Sequence, residues 1–341
     1  MSATADIAAT LLDWYDRHAR DLPWRAPPGS PPPDPYRVWL SEVMLQQTTV
    51  AAVKPYFAKF VATWPDVEAL AAADEDAIMA AWAGLGYYSR ARNLVKCARE
   101  VARRGGFPQT EAELRELPGL GAYTAAAIAA IAFGRRAVVV DANVERVVAR
   151  LCAISEPLPA ARKPIRAATD AITPGARAGD FAQAMMDLGA TVCTTRNPSC
   201  LLCPLRAECI AYARQNPERF PVKLPKQAKP HRTGTAFWIE WEGEVLLVTR
   251  PGAGMLGGMR ALPDDGWSAK GDGDGRPPFD GDWQDCGAVA HGFTHFTLHL
   301  RVRRIAVADA LPGGEWWPVD RIEEAGLPTL FAKAARRATA G

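Results

Sequence analysis

Apolar residues recur at helical spacing along the first two-thirds of the chain and switch to strand-like runs near its end. Phe181, Ala184, Met185 and Leu188 line up three and four residues apart behind Asp180, which predicts a helix over FAQAMMDLGA. Asp34-Pro35 before YRVWLSEVMLQQT supplies an N-cap and a proline at the first helical position. Thr110-Glu111-Ala112-Glu113 has the form of a capping box. Residues 215–232 (QNPERFPVKLPKQAKPHR) carry four prolines and little apolar periodicity, as a semi-rigid linker does. Beyond it, TAFWIEWEGEVLLVTR predicts a hairpin turning at Glu242-Gly243-Glu244, and residues 287–307 predict further strand. The Asp/Gly-rich stretch 264–282 predicts a loop. The expected organisation is a mainly α region over 1–220, a linker over 215–232 and a smaller α+β or mainly β domain over 233–341.

A length of 341 residues allows two domains with ample cores. The net charge is +2, unevenly placed: residues 1–229 hold 28 Lys and Arg against 23 Asp and Glu, and residues 230–341 hold 12 against 15. A basic first part fits a polyanionic partner, and ordinary solvated surface fits equally well. Residues 1–12 lack a basic segment followed by a long apolar one, and no apolar run has spanning length. The expectation is a soluble protein of a reducing, cytoplasmic compartment without a membrane partner. Cys97, Cys152 and Cys286 are scattered and are expected to be inert core residues.

The remaining cysteines are grouped. Cys193, Cys200, Cys203 and Cys209 are separated by six, two and five residues. Four thiolates suit an iron–sulfur cluster or a structural zinc. Zinc sites of four cysteines usually pair two CxxC knuckles, and here only Cys200 and Cys203 form one; disulfides are disfavoured by the reducing compartment. Upstream, Leu117-Pro118-Gly119-Leu120-Gly121 interrupts two helical stretches. A tight Gly-x-Gly bend beside a helix N-terminus can present amides to a phosphate, or it can simply be a turn. Asp141 stands between the apolar Val138-Val139-Val140 and a helical stretch. It is an N-cap candidate whose carboxylate the helix dipole would keep ionised.

The hairpin, the aspartate and the cysteine array occur in the order of the helix–hairpin–helix DNA glycosylases that carry a [4Fe–4S] cluster, and the chain resembles them. The segments 41–48 (SEVMLQQT), 84–92 (GLGYYSRAR) and 181–189 (FAQAMMDLG) resemble the MutY family of adenine DNA glycosylases. The resemblance covers 5–220 closely and the rest more loosely. It implies a [4Fe–4S] cluster on Cys193, Cys200, Cys203 and Cys209, in a loop over 193–209. It also implies removal of adenine mispaired with 8-oxoguanine or guanine in double-stranded DNA, and so an association with the nucleoid; nothing in the sequence suggests an obligate oligomer, and a monomer is expected.

Relatives that also cut the strand have a nucleophilic lysine after the hairpin; here Tyr123 follows Ala122, implying a monofunctional hydrolase. Breaking the glycosidic bond needs a protonated base and a stabilised oxocarbenium-like sugar. Glu42, set in the apolar run from Leu40 to Leu45, would be protonated if buried. The resemblance implies that it gives a proton to adenine N7 while Asp141 faces the sugar, with Tyr123 close by. A solvated helix residue is the plainer reading of Glu42. For the flipped base, the resemblance implies a pocket with Trp24, Arg25 and Gln183, and entry into the stack by Gln46, Gln47 and Tyr88. Leu117, Gly119, Gly121 and Asn143 join the DNA-contacting set on the same ground.

In the last third, His291-Gly292-Phe293-Thr294-His295-Phe296 resembles the lesion-reading loop of the family's MutT-like (Nudix-like) domain, with threonine where serine is common. Thr294 and His295 are thereby candidates for 8-oxoguanine recognition; histidines exposed on a strand are the alternative. Leu256-Gly257-Gly258-Met259 resembles another family loop, but Arg260-Ala261-Leu262 replaces its usual aromatic stretch. The 264–282 segment leaves little room for a Nudix helix, and no glutamate-rich metal motif is present. Three rivals remain: a strand-cleaving glycosylase for oxidised pyrimidines, a non-catalytic DNA-binding protein and a Nudix hydrolase.

Overall fold

A computed structural model describes residues 3–225, 228–251 and 255–340. The chain divides into two compact units, Met1–Ala81 with Ser89–Pro225, and Trp82–Tyr88 with Lys226–Gly341. Of the proline-rich stretch, Lys226 and Gln227 lie outside the described residues. Among the described residues no helix is long and apolar enough to cross a membrane.

The first unit is helical. It runs α1 (Ala3–His18), α2 (Pro35–Leu45), α3 (Val50–Thr63), α4 (Val67–Ala72), α5 (Glu75–Trp82), α6 (Ser89–Arg104), α7 (Glu111–Leu114), α8 (Ala122–Ile131), α9 (Ala142–Leu151), α10 (Arg162–Ile172), α11 (Ala178–Thr191) and α12 (Ile210–Ala213). At the centre lies α8, AYTAAAIAAI, with every residue from Thr124 to Ile131 buried. A helix apolar all round belongs inside, and its alanines let α2 and α11 approach closely. As expected, Asp34 caps α2 by accepting from the Tyr36 and Arg37 amides, with Pro35 at the first position.

Two local expectations need correction. Thr110 does cap α7, but the Glu113 carboxylate accepts a hydrogen bond from the Thr110 hydroxyl rather than reaching back to the backbone, so the box is not reciprocal. The helix around residue 181 begins at Ala178, which places Asp180 inside the first turn, where it binds Arg177. Of the scattered cysteines Cys97 is buried and Cys286 half-buried, whereas Cys152 is exposed at the end of α9 and is no core residue.

In the second unit six strands form one sheet: β1 (His231–Trp241), β2 (Glu244–Thr249), β3 (Arg260–Ala261), β4 (Gln284–Gly292), β5 (Thr297–Ala306) and β6 (Glu315–Pro318). The order is β3-β2-β1-β5-β4, with β6 also paired to β2. Among the described residues, β1 and β5 run parallel and the other strand pairs run antiparallel. The predicted first hairpin forms, but Glu244 already pairs with Trp241, so the turn is Glu242-Gly243. Both residues have positive φ, as a two-residue hairpin turn requires. The stretch 287–307 is not one strand: β4 and β5 fold back on each other about residues 293–296. The helix α13 (Thr329–Thr339) covers one face through Leu330, Phe331, Ala334, Ala335 and Ala338. The segment 264–282 is irregular apart from a bridge between Asp264 and Ala236.

Candidate functional site

A cavity of about 910 Å³ opens in the first unit, large enough for a nucleoside-sized group. Glu42, Tyr123 and Asp141 all line it, as do Trp24, Arg25, Gln46, Gln47, Asn143 and Gln183. These nine residues are scattered over 160 positions of sequence and converge because α2, α8, α9 and α11 surround the space.

Glu42 projects from the buried part of α2 and is only 7% exposed. Tyr123, on the first turn of α8, donates its hydroxyl to Glu42 Oε2 at 2.6 Å. Burial pushes the Glu42 carboxyl up to about 7; the Tyr123 hydrogen bond and the Arg25 charge oppose the rise, and the Asp141 charge adds to it. Burial and the Glu42 charge hold the Tyr123 phenol well above its ordinary value, so it remains a donor. Asp141 is the N-cap of α9: its carboxylate accepts from the Val144 amide at 2.7 Å and from Asn143 Nδ2 at 2.8 Å. The cavity thus has an acid that holds its proton near neutrality and a second carboxylate fixed by two donors.

The other lining residues are equally constrained. Trp24 is buried edge-on against Phe57. Arg25 Nη1 donates to Asp187 Oδ2 at 2.7 Å, and Asp187 also takes the Arg20 amide and Arg20 Nε. Asp187 is fully buried on α11, one turn beyond Gln183, which is also buried. Gln46 Nε2 donates to Thr124 Oγ1 at 3.2 Å, and Gln47 has a φ of 56° where the chain leaves α2. Arg90 supports that exit: it donates to the Val43 and Met44 carbonyls and to Thr48 Oγ1. Arg20, Asp187 and Arg90 escaped the sequence reading. An acid within the apolar face of FAQAMMDLGA was the one available signal for Asp187.

The remaining candidates lie elsewhere. The hairpin Leu117–Gly121 joins α7 to α8; Leu117 is buried and Gly119 has a φ of 78°. A Cβ at Gly119 would lie 2.7 Å from the Asn93 side chain, so shape and backbone both call for glycine. Leu117, Gly119 and Gly121 are not among the lining residues of the large cavity. Neither is Tyr88, which belongs to the Trp82–Tyr88 segment of the other unit. Thr294 and His295 are exposed at the β4–β5 turn of the second unit.

Cys193, Cys200, Cys203 and Cys209 line one small cavity with Arg150, Arg206 and Tyr212. Arg150, buried on α9, donates to Cys193 Sγ at 3.2 Å and to the carbonyls of Thr194, Thr195 and Phe220. Arg146, one turn earlier, ties the array to the large cavity: its guanidinium donates to the Cys193 carbonyl and to Asn143 Oδ1. Among the described residues no three His, Cys, Asp or Glu side chains converge closely enough to hold a single metal ion.

Both parts of the chain are similar to known proteins. Residues 40–170 match the HhH-GPD superfamily of base excision DNA repair proteins, and residues 235–337 match the NUDIX domain. The adenine DNA glycosylase of Homo sapiens is 32% identical, over 96% of this chain and 73% of its own. That of Mycolicibacterium smegmatis is 42% identical, over 70% of this chain and 79% of its own. A thermostable thymine-DNA glycosylase superposes with a TM-score of 0.56 at 31% identity, covering 62% of this chain and 97% of its own. The chain belongs to the adenine DNA glycosylase family.

Proposed function

We propose that the protein is a monofunctional DNA glycosylase that excises adenine mispaired with 8-oxoguanine or guanine in duplex DNA and leaves an abasic site. The observation that carries this reading is the pairing in one cavity of Glu42, with its carboxyl raised to about 7, and the doubly hydrogen-bonded Asp141. A flipped adenine enters the cavity, since a stacked base cannot reach a buried acid. Glu42 delivers its proton to adenine N7, which makes the base a neutral leaving group. Positive charge then develops on the sugar, and the Asp141 carboxylate stabilises it. Tyr123 holds the Glu42 carboxyl in place through its hydrogen bond and lines the same cavity. Gln183 offers an amide that can pair with the adenine edge, beside Trp24 and Arg25. Water completes the reaction. No lysine is among the lining residues, which supports hydrolysis over Schiff-base strand cleavage.

The cysteine array fits a [4Fe–4S] cluster. Four thiols surround one cavity without closing on a single ion, as ligands of a multi-iron core must. When bound, the cluster would supply a covalent cross-link that fixes residues 193–209, presenting Arg196 and Arg206 to phosphate. The hairpin amides at Gly119–Gly121, beside the N-terminus of α8, suit a second phosphate. Gln46, Gln47 and Tyr88 are assigned to the stack left by the flipped base, and Thr294 with His295 to the 8-oxoguanine opposite.

Duplexes carrying 8-oxoguanine:A, G:A or thymine glycol, analysed with and without alkali, test the reading. Breaks at adenine that appear only after alkali are expected. Breaks without alkali, or at thymine glycol, would overturn it.

A further inference from the structure

The β4–β5 turn is held from three sides, two of them by residues that neither the family resemblance nor the catalytic cavity brings in. Within the turn, Phe293 stacks on Phe296 with ring centres 4.7 Å apart, and the Phe293 amide donates to the Phe296 carbonyl at 2.8 Å. This clamp pushes the two residues between them, Thr294 and His295, outward into solvent. Beneath the clamp lies Trp267, 1% exposed, 5.8 Å from Phe293 and 6.5 Å from Phe331 of α13. Trp267 comes from the Asp/Gly-rich segment, which forms no helix. Its seat is made for it: a Cβ on Gly234 would lie 2.6 Å from the indole. Arg250, paired with Asp264, covers the ring from another side, its Cζ 4.9 Å from the centroid.

The third support comes from the end of the proline-rich stretch. Lys229 Nζ donates to the Phe293 carbonyl at 2.8 Å. The Pro230 carbonyl accepts from the Thr297 amide at 3.0 Å, and His231 Nδ1 shares a hydrogen bond with Thr297 Oγ1. Residues 229–231 therefore grip both ends of the turn.

We infer that Lys229 and Trp267 are positioning residues that hold the 293–296 turn in the form in which Thr294 and His295 meet the base opposite adenine. The inference rests on the reading role proposed above for that turn. A short turn carrying two exposed polar side chains samples many conformations unless its backbone is pinned, and each conformation lost before binding strengthens recognition. The irregular segment 264–282 would then do, through one indole, what a packed helix does elsewhere.

Single-turnover adenine release by the full chain, from 8-oxoguanine:A and from G:A duplexes, tests this. Losing a charge-assisted hydrogen bond, Lys229→Met should lower the preference for 8-oxoguanine:A about tenfold, with G:A release unchanged. Lys229→Arg should restore most of it. Trp267→Phe should keep the preference and Trp267→Leu should lose it. The surface change at Lys229 leaves the core intact, so the test stands even if Trp267→Leu unfolds. An unchanged preference in Lys229→Met, or equal losses on both duplexes, would overturn the inference. The joint variant Thr294→Ala/His295→Ala separates the two levels. If it alone loses the preference, the turn reads the lesion and only the positioning claim fails. If it too is unchanged, the reading role itself fails.

Discussion

Glu42 illustrates how a site is set against the stability of its fold. Its carboxyl titrates near 4.5 in the unfolded chain and about 7 in the folded one. The native state therefore binds the proton more tightly, and Glu42 favours folding most below pH 4.5. That contribution is lost as pH rises towards 7, and above 7 the buried charge costs on the order of 3 kcal/mol. Glu42→Gln keeps the acceptor for Tyr123 and cannot ionise. Its melting temperature should match the parent at pH 4.5 and exceed it by several degrees at pH 8. Equal melting temperatures at both values would mean that Glu42 is not a strained acid. The apolar neighbours of Glu42 left a solvated helix residue as the plainer reading, and only the family resemblance pointed to a buried acid, whereas Asp141 was legible in its capping position. The Arg25–Asp187 contact was not: it joins residues 162 apart, and an ion pair has no local signature.

Helices carry the site to the extent that their ends are fixed. Where α2 ends, Arg90 binds two carbonyls of its last turn and the Thr48 hydroxyl. The orphan carbonyls of a helix C-terminus attract a cation, and a buried one left unpaired costs about 1–3 kcal/mol. Arg90 also fixes the path of Gln46 and Gln47, which the account assigns to the base stack. Arg90→Lys, which gives up the planar fork, should slow adenine release from a fully paired duplex far more than from one with an abasic site opposite the adenine. There, extrusion is easier and the wedge matters less. Equal slowing on both would assign Arg90 to the fold alone. At this scale the caps at Asp34 and Asp141 and the Glu242-Gly243 turn followed from local chemistry. The β4–β5 turn was hidden from periodicity alone, because Phe293 and Phe296 keep an apolar pattern running through it; the family resemblance marked a loop at 291–296, but the stacking of the two rings is visible only in three dimensions.

Across the whole molecule, each unit contributes one distinct feature: the helical unit a buried acid, and the sheet unit an exposed polar turn. The cysteine array marked the family in sequence, yet its link to the cavity runs from Cys193 through Arg146 and Asn143 to Asp141, contacts that no spacing announces. Cys200→Ser, by loosening the loop at 193–209, should weaken DNA binding before it alters the chemical step. Normal binding by a folded, cluster-free variant would contradict the structural role of the array. The central claim is that a protonated Glu42 drives adenine release. Single-turnover release from 8-oxoguanine:A duplex between pH 5 and 9 tests it most directly. The rate should fall above about pH 7 with the loss of one proton, and it should be nearly abolished in Glu42→Gln. A flat profile, or near-parental turnover in that variant, would contradict it.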